Sequence, residues 1–135
     1  MPGPASLKRD KGQKSRLPSP RLFRLALAVA LVVITVLALM PADSAPAREL
    51  NDKVSHFLAF YALAFLTDYA FPAGNRLVVK LAPLLAYGLG IELVQRTLPS
   101  RMFSWLDLAA DSAGLLFYGL SLLLVSRLPG KSLPR

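Results

Sequence analysis

Residues 88–114, GLGIELVQRTLPSRMFSWLDLAADSAG, place Glu92, Gln95, Arg101, Asp107 and Asp111 at the adjoining ends of two strongly apolar segments. Upstream, the apolar run continues back to Leu77; downstream, it continues to Ser126. An ionisable group in or beside a membrane segment is costly unless something stabilises it, so this stretch marks both a membrane hairpin and a candidate site.

Working outward, the same pattern recurs along the chain. Of its 135 residues 54% are hydrophobic, and they come in long blocks, as in membrane proteins. The first block, 22–40, has nineteen residues and reaches about 28 Å as a helix, close to the hydrocarbon thickness. A cleaved signal peptide ending near Ala45-Pro46-Ala47 is the rival reading. It fits poorly, since the apolar core is long and proline sits inside the cleavage site. The second block, 54–71, follows a polar loop over 41–53. Pro72-Ala73-Gly74-Asn75 then reads as a tight turn into a third block, 77–95, with Pro83 expected to kink it. The loop 96–105 ends at Trp105, a residue suited to the membrane interface, and a fourth block spans 106–126. The expected fold is therefore all-α: a polytopic bundle of four transmembrane helices at about 22–40, 54–71, 77–95 and 106–126. It is flanked by a disordered basic tail over 1–21 and a short basic tail over 128–135, with one domain over 22–127.

Charge sets the orientation. The net charge of +8 is not the footprint of a nucleic-acid-binding surface, because the basic residues sit beside the apolar blocks. Twelve of the sixteen Lys and Arg fall in the N-terminal tail with the adjoining Arg24, in the 72–80 turn, and in the C-terminal tail with the adjoining Arg127, so both termini are expected in the cytoplasm. With no cysteine, the chain has no disulfides and no thiolate chemistry.

In this topology the polar residues converge. Asp52, Lys53 and His56, Glu92 and Gln95, and Asp107 and Asp111 all lie at helix ends on the outer face. Spacings of three or four put Asp52 with His56, Glu92 with Gln95, and Asp107 with Asp111 on shared helix faces. Ala82, Ala86 and Gly90, and Ala110 and Gly114, recur every four residues, which lets helices approach closely. Gly88, Gly90 and Gly114 are accordingly expected to be packing residues. Asp68, on the inner face, is expected near Arg76.

The candidate acid–base groups are His56, Glu92, Asp107 and Asp111. Candidate binding residues are Asp52, Lys53, His56, Glu92, Gln95, Arg101, Asp107 and Asp111. The bland alternative makes His56 an interfacial imidazole bonded to Asp52 or a facing carboxylate, and makes Arg101 an ion partner of Asp107 and lipid headgroups. His56 with the three acids has the donors for a divalent cation, but no HExxH-type signature supports a dedicated metal site, so none is assigned, and no cofactor is identified.

Four pieces together resemble the VanZ-like membrane proteins of bacteria: DKVSHFLAFYALAFL over 52–66, GLGIELVQ over 88–95, Arg101, and DLAADSAG over 107–114. The resemblance covers roughly 50–125, and Asp111 stands where that family commonly has Asn. It implies a small protein of the bacterial inner membrane and cell envelope whose namesake is linked to teicoplanin resistance, with a lipid-linked or cell-wall-related ligand. Two other functions fit the residues: an enzyme acting on a membrane lipid or its phosphorylated head group, and a component of a small transporter. Membrane lipid is the partner common to all three, and none involves nucleic acid.

Overall fold

A computed structural model of the chain describes residues 18–41, 50–73 and 76–127. The proposed cleavage site, most of both basic tails, most of the 41–53 loop and the Gly74-Asn75 turn tip lie outside them. Four α-helices follow in order: α1 (Pro20–Leu39), α2 (Leu50–Ala70), α3 (Leu77–Gln95) and α4 (Trp105–Ser126). Among the described residues there is no strand.

Three of these helices, α1, α3 and α4, are long and apolar enough to cross a membrane. Their large apolar side chains point outward: Val32, Val78 and Leu116 are 64%, 76% and 74% exposed. In water such surfaces would be costly, whereas lipid is as apolar as they are. The residues with no exposure sit instead where helices meet.

The packing centres on α2. Phe60, Leu63, Ala64 and Ala70 from this helix form half of the buried core cluster, joined by Leu27 of α1, Leu84 of α3, and Leu115 and Tyr118 of α4. Its most extensive neighbour is α4, followed by α1. Gly114 explains the first contact: a Cβ there would overlap the Phe57 carbonyl oxygen and lie 3.0 Å from the Tyr61 nitrogen. Only a residue without Cβ lets the two backbones come that close. Gly88 serves the α3 contact in the same way, since its Cβ would stand 2.7 Å from Asp111 Oδ2 and 2.9 Å from the Phe60 ring. Gly90 does not fit the expectation of packing: nothing lies within 4 Å of its Cβ position. One face of α3 carries the close approach, and Gly90 is on another.

Helix α2 begins earlier than the apolar pattern suggests, so Asp52 and Lys53 are helical rather than in a loop. A carboxylate in the first turn is favoured by the helix dipole, a local effect that hydrophobicity does not register. Similarly α1 starts at Pro20, taking in two residues expected in the basic tail; proline is well suited to a first helical turn. Helix α3 matches its expected limits and runs unbroken across Pro83.

The end of the bundle where α2 turns into α3 is closed by polar contacts. Lys80 Nζ lies 2.6 Å from Asp68 Oδ1, and the Tyr118 hydroxyl donates to Asp68 Oδ2 at 2.9 Å. The ion partner of Asp68 is Lys80, one turn beyond Arg76 along α3, because position 80 stands level with position 68 across the hairpin. Arg24 Nε donates to the Ala70 carbonyl at 3.0 Å while its guanidinium sits over the Phe71 ring. A cation at the carbonyl end of α2 is favoured by the helix dipole.

Candidate functional site

The opposite end of the bundle gathers the residues singled out by the sequence. His56 and Asp111 each lie six residues, rather more than a turn and a half, inside the starts of α2 and α4. Because Gly114 seats α4 closely on α2, the imidazole Nδ1 reaches Asp111 Oδ1 at 2.8 Å. The partner of His56 is therefore the facing carboxylate, not its own-helix neighbour Asp52. Asp111 is 1% exposed and the His56 side chain 16%, so the bond has little competition from water. One turn outward, Lys53 Nζ lies 3.1 Å from Asp107 Oδ1. Two parallel rungs, His56–Asp111 and Lys53–Asp107, join α2 to α4.

Glu92 enters from α3. Its Oε2 accepts the Ser104 backbone N–H at 2.8 Å, and the Ser104 hydroxyl in turn accepts the Asp107 N–H at 3.2 Å, capping α4. Thus one serine fixes both Glu92 and the first turn of α4. The other oxygen, Oε1, is buried and has no hydrogen-bond partner among the described residues. Asp52 completes the group: one ligand atom each from Asp52, His56 and Asp107 lies within 4.8 Å of the other two.

Two expected members stand apart. Gln95 is buried but donates through Nε2 to the Ala38 carbonyl at 2.9 Å, and Arg101 Nε donates to the Met40 carbonyl at 3.1 Å. Both bond carbonyls at the end of α1, which have no partner within their own helix. They hold α1 to the α3–α4 hairpin. Asp52, Lys53, His56, Glu92, Asp107 and Asp111 remain as the site proper.

The chemistry available is that of an imidazole held by a buried carboxylate, an ammonium, and further carboxylates at one end of an apolar bundle. A carboxylate on Nδ1 fixes the ring and leaves Nε2 to exchange a proton or take a ligand. Asn at 111 could accept the same hydrogen bond but could not supply the charge. Sequence reading missed Ser104, whose two roles only the fold brings together. Its signal is present, however: Ser three residues before Asp107 is an N-cap pattern.

Along α3 and α4 runs a lateral groove of ≈ 1430 Å³, lined chiefly by apolar side chains such as Leu81, Leu85, Leu116 and Leu120. It extends from Pro18 at one end to Ser112, the residue beside Asp111, at the other.

Fold and site together define an all-helical protein with three membrane-length apolar helices and a buried polar cluster at one end. No family model matches the chain, and no solved structure matches it. An uncharacterized protein of the fission yeast Schizosaccharomyces pombe is 36% identical over 94 residues, which cover 67% of this chain and 56% of that protein. The chain thus spans little more than half the length of this relative.

These findings correct the expectation of a VanZ-like bacterial protein. No family model supports it, and the relative is eukaryotic. The bacterial inner membrane, the cell-wall ligand and the link to teicoplanin lose their support with it. The motifs behind the resemblance are small residues and acids at helical spacing. Close helix packing around buried carboxylates calls for that vocabulary in any bundle, whatever its ancestry.

Proposed function

We propose that this is an integral membrane protein whose polar cluster binds the head group of a membrane lipid and performs acid–base chemistry on it. The observation that carries the reading is the His56–Asp111 pair at 2.8 Å, sheltered within the bundle and flanked by Lys53–Asp107 and Glu92. In this account His56 is the proton carrier, oriented by Asp111, and Lys53 attracts the negative charge of a phosphorylated head group. The lateral groove takes an acyl chain, because its lining residues Val78 and Leu116 are highly exposed and apolar and the lining reaches Ser112, the residue after Asp111 in α4.

The same reading makes α2 a fourth span. Its charged residues lie toward its two ends, at Asp52 and Lys53 and at Asp68, where partners on α3 and α4 offset their cost. Four spans put both termini on one side, the cytoplasmic side by the distribution of basic residues. A reporter fused after Arg135 should be active in the cytoplasm; activity only on the other side refutes this topology.

Lipid-resolved mass spectrometry of cells carrying the wild type, His56→Ala or Glu92→Ala tests the function. Accumulation of one phosphorylated lipid class in both variants, with protein levels maintained, is expected. Unchanged lipid pools alongside normal levels of folded variant would refute it.

A further inference from the structure

Among the described residues, the polar cluster itself gathers more carboxyl groups than cationic ones, Arg101 at the same end being turned to the Met40 carbonyl. Asp52, Glu92, Asp107 and Asp111 contribute four carboxyl groups, against the one ammonium of Lys53 and the imidazole of His56. Burying carboxylates without compensating charge is unfavourable, so the site calls for a cation or for protons.

Several features favour a metal cation. Asp52, His56 and Asp107 come from the starts of two helices, yet one ligand atom from each lies within 4.8 Å of the others. Ligands of an octahedral ion with bonds of about 2.1 Å stand about 3.0 Å apart when adjacent and about 4.2 Å apart when opposed. Asp52 is only partly buried in the first turn of α2, so its side chain has room to close on an ion. His56 already makes the contact typical of a metal-bound histidine, with Nδ1 on the Asp111 carboxylate and Nε2 left for the ion. Asp107 has two oxygens, so it can keep Lys53 on Oδ1 and offer the other.

Glu92 supplies the independent pointer. It is 0% exposed, its Oε2 is fixed by the Ser104 N–H, and its Oε1 has no partner among the described residues. Ser104 also caps α4 at Asp107, so this carboxyl is held at the first turn of α4. It lies within electrostatic range of Asp107, His56 and Asp111. A buried carboxylate oxygen without a partner, next to a cluster of metal-type donors, is what an ion, or a water bound to an ion, would satisfy.

We propose that Asp52, His56 and Asp107 bind one divalent cation, with Glu92 accepting a hydrogen bond from a water on the ion. One imidazole nitrogen among carboxylate oxygens suits Mn2+ or Zn2+. If the lipid reading above holds, the open positions on the ion face the phosphate oxygens of the head group, where a cation offsets negative charge. That use rests on the lipid reading; the binding of the ion does not.

The test uses tag-free, full-length protein in detergent, stripped with EDTA and titrated with MnCl2, with free Mn2+ read by electron paramagnetic resonance. The wild type should bind one Mn2+ per chain, displaced by Zn2+. Asp52→Asn and His56→Gln should each weaken binding at least tenfold while circular dichroism shows an unchanged helix content. Asp52 is only partly buried and two residues into its helix, so its variant keeps the fold. A folded wild type that binds neither ion, or binding that both substitutions leave intact, overturns the proposal. Mn2+ binding without lipid turnover refutes the lipid reading and leaves the cation site standing; turnover by a protein that binds neither ion does the reverse.

Discussion

Replacing Gly114 with alanine perturbs the contact that holds the site together. The added Cβ would overlap the Phe57 carbonyl oxygen and stand 3.0 Å from the Tyr61 nitrogen and 3.2 Å from the Phe57 carbonyl carbon. All three are backbone atoms of α2, so no side chain can rotate aside. The helices must separate by roughly half an ångström to an ångström, at a cost of about 1–3 kcal/mol by analogy with overpacked cores. Against this, alanine gains about 0.5–1 kcal/mol over glycine inside a helix. The net expectation is a loss centred on about 1 kcal/mol and reaching about 2.5 kcal/mol, a factor of roughly 5 at the centre in the folded-to-unfolded ratio. Asp111 lies one turn from Gly114 along the same interface, so separation also stretches the 2.8 Å bond to His56. Gly90→Ala is the internal control, because no atom lies within 4 Å of its Cβ position. Reversible unfolding in mixed micelles, followed by circular dichroism, measures both variants. Gly114→Ala should be clearly destabilised, with Gly90→Ala neutral or slightly stabilised. Equal stability of the two variants would refute the close α2–α4 approach.

Other consequences follow from the same contacts. Lys80→Met should destabilise by about 1–3 kcal/mol, below the range for a fully buried pair because Asp68 keeps 25% exposure. Adding Asp68→Asn to Lys80→Met should recover part of that loss in the same unfolding assay. Gln95→Leu removes the bond to the Ala38 carbonyl, and a cost of about 1 kcal/mol is expected. Because the loss falls on the α1 contact, limited proteolysis should cut between α1 and α2 faster than in the wild type. Glu92→Gln keeps an oxygen for the Ser104 N–H while removing the buried charge. Its melting temperature should be equal to or above that of the wild type in EDTA, with a smaller upward shift on adding Mn2+.

Why some of this was legible in the sequence is a matter of range. Periodicity and length are local, so the four helices could be read from apolar runs alone, and α3 was placed at Leu77–Gln95 as found. The start of α2 was missed because Asp52 and Lys53 look like loop residues to a hydropathy count, while to a helix dipole Asp52 is a favourable first-turn residue. Spacing put Glu92 and Gln95 on one face of their helix, and both are buried. It could not show that Gln95 answers a carbonyl of α1, since that depends on where a distant helix docks. The partner of Asp68 could have been found by counting across the hairpin, where positions 68 and 80 stand level. The family resemblance failed for a related reason: small residues and acids at four-residue intervals report the physics of packing, which unrelated bundles share.

The central claim is that His56, held by Asp111, carries protons to and from a lipid head group. It is tested most directly by turnover in vesicles containing phospholipids, using purified wild type and His56→Ala and mass-spectrometric detection of released head group, with and without Mn2+. The account predicts product from the wild type and at least a hundredfold less from a folded His56→Ala variant, in line with the loss of a general acid–base group. Equal product from both, or none from the folded wild type under either condition, would contradict it.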